Sequence, residues 1–367
     1  MELLFWASLG VVLYVYAGYP VVLEVWRRFA RRATIVEAGA TPPVSVVIAA
    51  RNEAERLPGR IENLLGLDYP PHSLEIVVVS DGSTDATRQA VAPWTQPSAG
   101  GEPRVRLIEI DAAGKALALN AGVEAATHDI LVFADARQRF ASDAVRRLVG
   151  RLADPAVGAV SGELVLDCEE GASASTIADG VGAYWRYEKW LRARESEIDS
   201  TLGASGAIYA LRRACWQPLP PGTILDDVLA PMRAVLAGWR VVFEERARAF
   251  DSAAPDAAAE SRRKTRTLAG NYQLLALEPR LLLPGVNRVW LQFVSHKLGR
   301  LLVPWALVGL FVASLALAAS SAVYLSAAVA QGLFYGLALY GGHLERQARQ
   351  RHVPAPGRVS EGKAVNA

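Results

Sequence analysis

The sequence contains little cysteine and almost no net charge, and both shortages restrict its function. Its two cysteines, Cys168 and Cys215, match neither a disulfide framework nor the paired ligand spacing of a zinc site. Lysine and arginine (39) nearly balance aspartate and glutamate (37), and the net charge of +2 argues against a dedicated nucleic-acid-binding protein. Charged residues make up 21% of the chain and hydrophobic residues 51%. These fractions exclude a disordered protein and argue against a fully soluble one.

Sequence motifs of several common active sites are also missing. Residues 50–55, which follow the first β-branched run, lack the G-x-G-x-x-G pattern that a dinucleotide pyrophosphate requires. Residues 114–116 contain Gly-Lys, but they lack the upstream glycine and the hydroxyl residue of a P-loop. Residues 203–207 read GASGA, which is not the G-x-S-x-G turn of a serine hydrolase. The sequence therefore gives no support to nicotinamide, flavin, P-loop or hydrolase chemistry.

Charged residues are absent from two long apolar stretches. Residues 3–23 carry no charge over a length that spans a bilayer core, which takes about 20 residues. Residues 301–344 contain no Lys, Arg, Asp or Glu and are long enough for two spans that turn at Ser320 and Ser321. We therefore predict one transmembrane helix over residues 1–26 and two over residues 301–344. A buried core helix is the alternative for the first stretch.

Basic residues flank these apolar stretches on one side. By the positive-inside rule, they place the N-terminus outside and the middle of the chain in the cytoplasm, in a multi-pass protein of the inner (plasma) membrane. Residues 281–300 mix apolar and basic side chains and predict a helix in the membrane interface, or else an ordinary amphipathic surface helix. Residues 345–367 predict a polar, disordered cytoplasmic tail. The flanking residues are Arg27, Arg28, Arg31, Arg32, Lys297, Arg300, Arg346, Arg349 and Arg351.

The middle of the chain, residues 42–278, alternates β-branched runs with helical patterns. The runs VSVVIAA, LEIVVVS, VRLIEI and DILVFAD are almost continuously apolar, as parallel strands covered on both faces are. Helical patterns follow them at residues 53–65, 84–91, 115–126 and 141–152. This order predicts an open, Rossmann-like α/β sheet whose ligand lies beyond the carboxyl ends of the strands.

Two of the predicted strands end in a carboxylate. Asp81 follows the second run, and Asp135 follows the fourth. Asp81 is suited to accept hydrogen bonds from a base or a ribose, although DGSTD is also a common turn and helix cap. Asp135 is suited to hold a hard cation that bridges a diphosphate, although it also fits a capping role. Because both residues lie at one edge of the predicted sheet, together they favour a binding site there over two unrelated caps.

Eight segments of the chain resemble, in order and spacing, one family of enzymes. In the first half these are VSVVIAARNEAERL, VVVSDGSTDAT, GKALALN and FADAR; in the second half they are YWRYEKWLRARES, GASGAIYALRR, GTILDDVLAP and RRKTRTLAGNYQLL. The set resembles the membrane-bound glycosyltransferases of family 2, which are inverting enzymes of the GT-A fold related to polysaccharide synthases. The resemblance covers residues 42–304. It implies a GT-A domain with a mixed open sheet over residues 42–278, between the N-terminal and C-terminal transmembrane helices.

On the donor side, the resemblance implies that four residues bind the nucleotide sugar. Asn52, Glu53 and Asp81 match the positions that hold the nucleotide, with Asp81 at the base. Lys115 matches a position near the nucleotide and its phosphates.

The metal-binding D-x-D motif of the family is incomplete in this chain. Asp135 stands at its first acid, whereas Arg137 replaces the second. A single carboxylate makes a weaker site for a divalent ion, and the guanidinium of Arg137 is itself suited to bind the diphosphate. We expect a divalent cation, Mg²⁺ or Mn²⁺, bound through Asp135 and assisted by Arg137.

On the acceptor side, the resemblance implies a base and two arginines. Asp226 and Asp227 occupy the place of the family's E-D motif, which makes Asp227 the candidate general base and Asp226 its neighbour. Arg263 and Arg266 lie where processive synthases carry Q-x-x-R-W, of which only the arginine, Arg266, is kept. The residue types suit the chemistry, since a carboxylate accepts the proton of the attacking hydroxyl and arginines stabilise the leaving diphosphate. The alternative for Asp227 is the N-cap or first turn of the next helix, a role that Asp226 fills equally well.

These features predict an inverting glycosyltransferase. Its expected donor is a nucleoside diphosphate sugar, UDP-linked, and its acceptor is lipid-linked or a polysaccharide at the cytoplasmic face of the membrane. Chain elongation and single addition both remain open, although the missing Gln and Trp weaken the former. The alternative from another class is a catalytically inactive membrane protein that binds a nucleotide sugar for a partner. Besides the donor and the acceptor, the expected partners are membrane lipids and proteins of envelope biosynthesis, and no nucleic acid.

Overall fold

The computed structural model of the protein describes residues 1–30, 39–96, 104–167, 176–252 and 257–351. Within these ranges the chain forms a sheet of eight strands in the order β3-β2-β1-β4-β7-β6-β8-β5. The strands are β1 (Val44–Ala50), β2 (Leu74–Asp81), β3 (Val105–Ile110), β4 (Ile130–Ala134), β5 (Arg139–Phe140), β6 (Val157–Asp167), β7 (Ile208–Arg212) and β8 (Arg240–Ser252).

The four predicted apolar runs form the parallel part of this sheet. Strand β1 pairs in parallel with β2 and with β4, and β2 pairs in parallel with β3. Side chains along β1 alternate between two hydrophobic cores, with Val46 and Ile48 in one and Val47 in the other. Burial on both faces explains why the runs of β1, β2 and β4 are almost continuously apolar, whereas β3, at the edge of the sheet, is only partly buried and contains Arg106 and Glu109.

Antiparallel pairing completes the sheet beyond β4. Strand β7 pairs antiparallel with β4 and with β6, while β8 runs parallel to β6 and antiparallel to β5. The sheet is therefore mixed and open, as the sequence predicted. Cys215, which follows β7, is buried and free, whereas Cys168 lies outside the described residues.

Helices from the middle of the chain pack on both faces of the sheet, and three of them begin later than predicted, at Leu57, Thr87 and Ala144. Ahead of the first two, hydrogen bonds between the loops after β1 and β2 hold the backbone in non-helical conformations. The helices are α1 (Glu2–Leu13), α2 (Tyr19–Phe29), α3 (Leu57–Leu65), α4 (Thr87–Val91), α5 (Lys115–Ala125), α6 (Ala144–Arg151), α7 (Thr176–Ile198), α8 (Asp226–Leu236), α9 (Ala257–Leu277), α10 (Trp290–Gln292), α11 (Gly299–Leu317) and α12 (Ala322–Arg351).

Three helical stretches are long and apolar enough to cross a membrane: Glu2–Phe29, Trp290–Leu317 and Ala322–Leu344. The first joins α1 and α2 through a π-helical turn, Tyr14–Gly18, and the second joins α10 and α11 through another, Phe293–Leu298. These stretches support membrane association of the chain.

The boundaries at the C-terminal end differ from the predicted ones. Instead of a separate interface helix over residues 281–300, a 3₁₀ turn occupies Pro279–Leu282 and one helical stretch runs from Trp290 through Leu317. Pro284 and Gly285, whose φ is +85°, interrupt the helical backbone in between. The predicted tail also begins later, because α12 continues to Arg351; residues 352–367 lie outside the described part.

The described chain divides into two units, residues 15–301 and a smaller one made of residues 1–14 and of the chain from residue 302 onward. The smaller unit has its own apolar cluster, formed by Phe5, Leu310, Ala313 and Tyr324. The rings of Phe5 and Tyr324 meet edge to face with centroids 4.8 Å apart. The larger unit contains the sheet and every site residue that the sequence singled out.

Candidate active site

The carboxyl ends of the parallel strands bring the predicted donor-side residues to one edge of the sheet. Asp81 ends β2, Asn52 and Glu53 follow the neighbouring strand β1, and Asp135 follows β4 on the other side of β1. Ligands of open α/β sheets bind at this edge, where loops rather than strands carry the side chains.

Asn52 and Glu53 join the loop after β1 to the loop after β2. Asn52 adopts a positive φ of 57°, which its short polar side chain tolerates, and its Oδ1 accepts a hydrogen bond from the Thr84 backbone N–H at 2.8 Å. The backbone N–H of Glu53 donates to Thr87 Oγ1 at 3.1 Å, and its carboxylate pairs with Arg56 at 2.7 Å. Both residues thus shape the edge of the site, and their predicted contact with a nucleotide remains a prediction.

Asp81 organises the loop that precedes α5. Its buried carboxylate accepts hydrogen bonds from the backbone N–H groups of Ala113, at 2.6 Å, and of Gly114, at 3.0 Å. These bonds place the first residue of α5, Lys115, beside the carboxyl end of β4. The carboxylate therefore already has two local donors, in addition to any ligand that it binds.

Lys115 links the predicted donor side of the site to its predicted acceptor side. Its Nζ lies 3.1 Å from Asp135 Oδ1 and 3.4 Å from Asp226 Oδ2, two residues from distant parts of the sequence. Burial lowers the pKa of this amine, but the carboxylates of Asp226, Asp135 and Asp227 more than offset that effect and raise it overall. The ammonium therefore remains charged at physiological pH.

Asp226 and Asp227 occupy the first turn of α8, directly after the N-cap residue Leu225. Asp226 is 5% exposed, and burial raises its pKa to about 6, although the charge of Lys115 opposes the rise. Asp227 is half-buried, and its Oδ2 accepts a hydrogen bond from the Gly206 N–H at 2.9 Å. A Cβ atom at position 206 would lie 2.9 Å from the same oxygen, so the close approach requires glycine.

Helix α9 holds the loop that leads into Asp226. Gln273 accepts a hydrogen bond from the Ile224 N–H and donates one to the Gly222 carbonyl, both at 2.9 Å. A Cβ atom on Gly270 would come within 2.5 Å of Leu225, so the helix and the loop are in direct contact there. Gln273 is uncharged and carries no motif signal, so the sequence alone did not identify it as part of the site.

Arg263 and Arg266 lie on the same helix, one to two turns before Gly270. Arg263 is half-buried and Arg266 is exposed. In the described part of the chain, no carboxylate forms an ion pair with Arg266. The structure thus brings Lys115 together with the carboxylates but does not join Arg266 to them, and its predicted contact with the diphosphate remains a prediction.

Arg137 forms an ion pair that the sequence did not reveal. Its Nη2 lies 2.7 Å from Asp251 Oδ2 on β8, and Gln138 Nε2 donates to the same oxygen at 3.0 Å. Asp251 is 6% exposed, so the guanidinium compensates a buried charge. Arg137 is half exposed and retains donors for a diphosphate, but its position is fixed by Asp251.

A tyrosine hydroxyl lies in the same electrostatic environment as the carboxylates. Tyr209 on β7 is fully buried, stacks on Phe133 with centroids 4.5 Å apart, and finds no hydrogen-bond partner for its hydroxyl among the described atoms. The pKa of its hydroxyl lies well above the usual value. Burial is the largest cause, and the negative charges of Asp226, Asp227 and Asp135 raise the pKa further. Tyr209 therefore remains a neutral phenol, and it carries no motif by which the sequence could have identified it.

The side chains of the site suit a divalent cation only if a bound ligand supplies further oxygen atoms. In the described ranges, no three His, Cys, Asp or Glu side chains are grouped to hold an ion. Asp135, however, is 37% exposed, and among the described residues its Oδ1 is engaged by Lys115 while its Oδ2 has no partner. Mg²⁺ commonly binds through one or two carboxylates plus substrate phosphates, so the residues present fit a cation that a diphosphate brings with it.

Two family models match the chain and overlap. The model described as "Glycosyl transferase family 2" matches residues 45–210, and the model described as "Glycosyl transferase family group 2" matches residues 130–340. The second covers more than half of the chain, and the two together include all of the site residues described above.

The chain is also similar to individual proteins. A mannosyltransferase from Pyrobaculum calidifontis, solved in complex with GDP-Man and Mn²⁺, has 25% identical residues and a TM-score of 0.69 over 92% of each chain. An N-acetylglucosaminyltransferase of Rhizobium sp. is 26% identical over 290 residues, 75% of this chain and 62% of the relative. A beta-monoglucosyldiacylglycerol synthase of Synechocystis sp. is 28% identical over 211 residues, 54% of this chain and 42% of the relative.

The matched region thus spans less than two thirds of each of these two curated relatives, although it spans nearly all of the solved mannosyltransferase. The TM-score of 0.69 with the solved mannosyltransferase shows that the two chains share a fold, to which the mixed sheet of this chain belongs. The chain belongs to glycosyltransferase family 2 and has the GT-A fold.

Proposed function

We propose that the protein transfers a sugar, with inversion, from a nucleoside diphosphate donor to a lipid-linked or polysaccharide acceptor at the cytoplasmic face of the inner membrane. One observation carries the proposal: Lys115 Nζ contacts both Asp135, on the donor side, and Asp226, next to the candidate base. A protein that only binds nucleotide sugars has no need of a base next to the donor site. The apolar stretches and their basic flanks support the membrane location.

In the proposed reaction, the acceptor hydroxyl attacks the anomeric carbon on the face opposite to the diphosphate. A carbon–oxygen bond forms to the acceptor as the bond to the diphosphate breaks, and Asp227 takes the hydroxyl proton. Gly206 holds the Asp227 carboxylate in place through its N–H. A cation bound at Asp135 would supply further positive charge to the diphosphate, while Lys115 keeps the buried Asp226 ionised.

The direct test measures sugar transfer by the full chain in phospholipid vesicles with a panel of nucleotide sugars. The panel includes guanosine donors as well as uridine donors, because the solved mannosyltransferase was captured with GDP-Man. Release of nucleoside diphosphate with formation of a glycosylated lipid or polymer from at least one donor is expected. Tight binding of a nucleotide sugar without any turnover would instead favour the inactive binder.

The pH dependence of transfer is expected to show an acid limb near pH 6. Because burial raises the pKa of Asp226 to about 6, its carboxyl is neutral below that pH and ionised above it. Protonation removes one of the two contacts of Lys115, so kcat/KM should fall as the pH drops through 6 and be constant above it. Profiles between pH 5 and pH 8 for the wild type and for Asp226→Asn test this; an unchanged inflection in the variant would assign it to another group.

Activity is expected to require a divalent cation. EDTA should abolish transfer, and Mg²⁺ or Mn²⁺ should restore it, because a diphosphate with one carboxylate, Asp135, is enough to bind such an ion. Asp135→Asn should raise the metal concentration needed for half-maximal activity. Full activity in EDTA would contradict the prediction and would assign the charge on the leaving group to Arg137, Arg263 and Arg266.

A further inference from the structure

The loop that leads into Asp226 has few backbone donors of its own. Residues 216–225 lie between β7 and α8 and include three prolines, at positions 218, 220 and 221, which have no N–H group. Leu219 and Thr223 in this loop are nevertheless buried, at 2% and 7% exposure. Buried backbone groups need hydrogen-bond partners. Side chains from two helices, α5 and α9, supply them here.

Asn120, in the middle of α5, forms two hydrogen bonds with one residue of this loop. Its Nδ2 donates to the Leu219 carbonyl, and its Oδ1 accepts from the Leu219 N–H, both at 2.9 Å. An amide side chain suits this role because it carries a donor and an acceptor side by side. Helix α5 packs tightly on the sheet, since a Cβ atom on Gly122 would lie 2.5 Å from Val47 Cγ1. The loop is thus tied to a firmly packed helix.

Gln273, on α9, forms a second pair of this kind near the other end of the loop. Its amide bonds the Ile224 N–H and the Gly222 carbonyl, both at 2.9 Å. Residues 220–223 separate the two anchored N–H groups, and Gly222 turns the backbone there with a φ of +73°. Two amides therefore hold the loop from two helices, and the second acts only two residues before Asp226.

The loop and α5 also carry the two partners of an ion pair. Lys115 is the first residue of α5, and its Nζ lies 3.4 Å from Oδ2 of Asp226, the first residue of α8. This contact persists only if α5 and the start of α8 keep their separation, and the bonds of Asn120 to Leu219 join the same two parts of the chain. A misplacement of about 1 Å at reacting groups lowers a rate by about a hundredfold.

We propose that Asn120 and Gln273 are positioning residues, whose two amide pairs form a loop clamp that keeps Asp226 in contact with Lys115. The inference rests on the proposed glycosyltransferase function and adds to it two residues that act through this contact.

Hydrogen exchange of backbone amides tests the loop clamp without any turnover. Exchange is measured by mass spectrometry on the full chain in phospholipid vesicles. Asn120→Leu should speed exchange at Leu219, and Gln273→Leu at Ile224, each by about tenfold, because leucine fills a similar volume but accepts no hydrogen bond. Asn271→Leu, also on α9, is the matched control, since its amide donates to a carbonyl of α9 itself. The control should exchange like the wild type.

Transfer kinetics test whether the loop clamp acts through Asp226. Each leucine variant of the clamp should lower kcat by about tenfold and leave the Kd of the donor within about twofold. In an Asp226→Asn background the same substitutions should lower kcat by less than about twofold, because the ion pair is already lost.

The acid limb of the pH profile is a further measure of this contact. A more distant Lys115 stabilises the charged form of Asp226 less, so the pKa of that carboxyl should rise above its value of about 6 and the limb should move to higher pH. Asp227 and Asp135, the other charged groups that act on Asp226, are unchanged in the clamp variants. Asn271→Leu should leave the limb in place.

Unchanged exchange at Leu219 and Ile224 would overturn the proposal. An equal loss of kcat in the wild-type and Asp226→Asn backgrounds would also overturn it, because the substitutions would then act by general damage. Gln273→Glu is the milder variant: it keeps the acceptor for Ile224, whose amide should stay protected, and loses only the donor to Gly222. Melting temperatures show whether each variant folds. Faster exchange in a chain that transfers no sugar from any donor would support the loop clamp and overturn the proposed function.

Discussion

Replacing Asp227 with asparagine is expected to lower the rate of sugar transfer by about 10²- to 10⁴-fold, because the amide cannot accept the proton of the acceptor hydroxyl. The amide oxygen can still accept the hydrogen bond from Gly206, so the loop should keep its conformation. Affinity for the nucleotide sugar should remain within a few-fold of the wild type. Steady-state transfer kinetics and calorimetric titration with the donor measure the two quantities separately.

A matched control for this variant is Asp143→Asn. Asp143 also lies at the start of a helix, α6, but it pairs with Arg147 in the next turn. The control should transfer sugar at the wild-type rate. Near-normal turnover by Asp227→Asn would show that another group, in the first place Asp226, takes the proton.

Replacing Lys115 with methionine is expected to damage both folding and activity. The change leaves Asp226, which is 5% exposed, without its cation. Breaking a buried ion pair by removing one partner costs about 3–5 kcal/mol, and because Lys115 is one-third exposed we expect about 2–3 kcal/mol of unfolding free energy. Transfer should fall by about a hundredfold or more, since a preorganised charge at the reacting groups is lost.

The double variant Lys115→Met/Asp226→Asn separates the two effects. Removing the charge of Asp226 as well should recover most of the lost stability, because no buried carboxylate is left unpaired. Activity should stay low, since the ammonium is still missing. Denaturant unfolding of the two single variants and the double variant measures the coupling; simple additivity of the stability losses would contradict the pairing of Lys115 with Asp226.

Local features of the sequence were enough to predict four of the eight strands, β1 to β4, and the apolar stretches. Each of the four β-branched runs forms a strand of the parallel part, and the runs of β1, β2 and β4 are almost continuously apolar because they are buried on both faces. The helix starts were less predictable. Residues 53–56 and 84–86 read as helical, but hydrogen bonds across two loops, such as that from Thr84 to Asn52, delay α3 and α4.

The sequence by itself determined which chemical groups are present and that Asp81 and Asp135 share a sheet edge, since parallel strands align their carboxyl ends. Only the tertiary structure decided which charges meet. Lys115 contacts Asp226, and Arg137 contacts Asp251, because the order of β4, β7, β6 and β8 brings distant segments together. No local pattern encodes these pairs, since an ion pair depends on the spatial position of both partners and each partner alone looks like an ordinary surface charge.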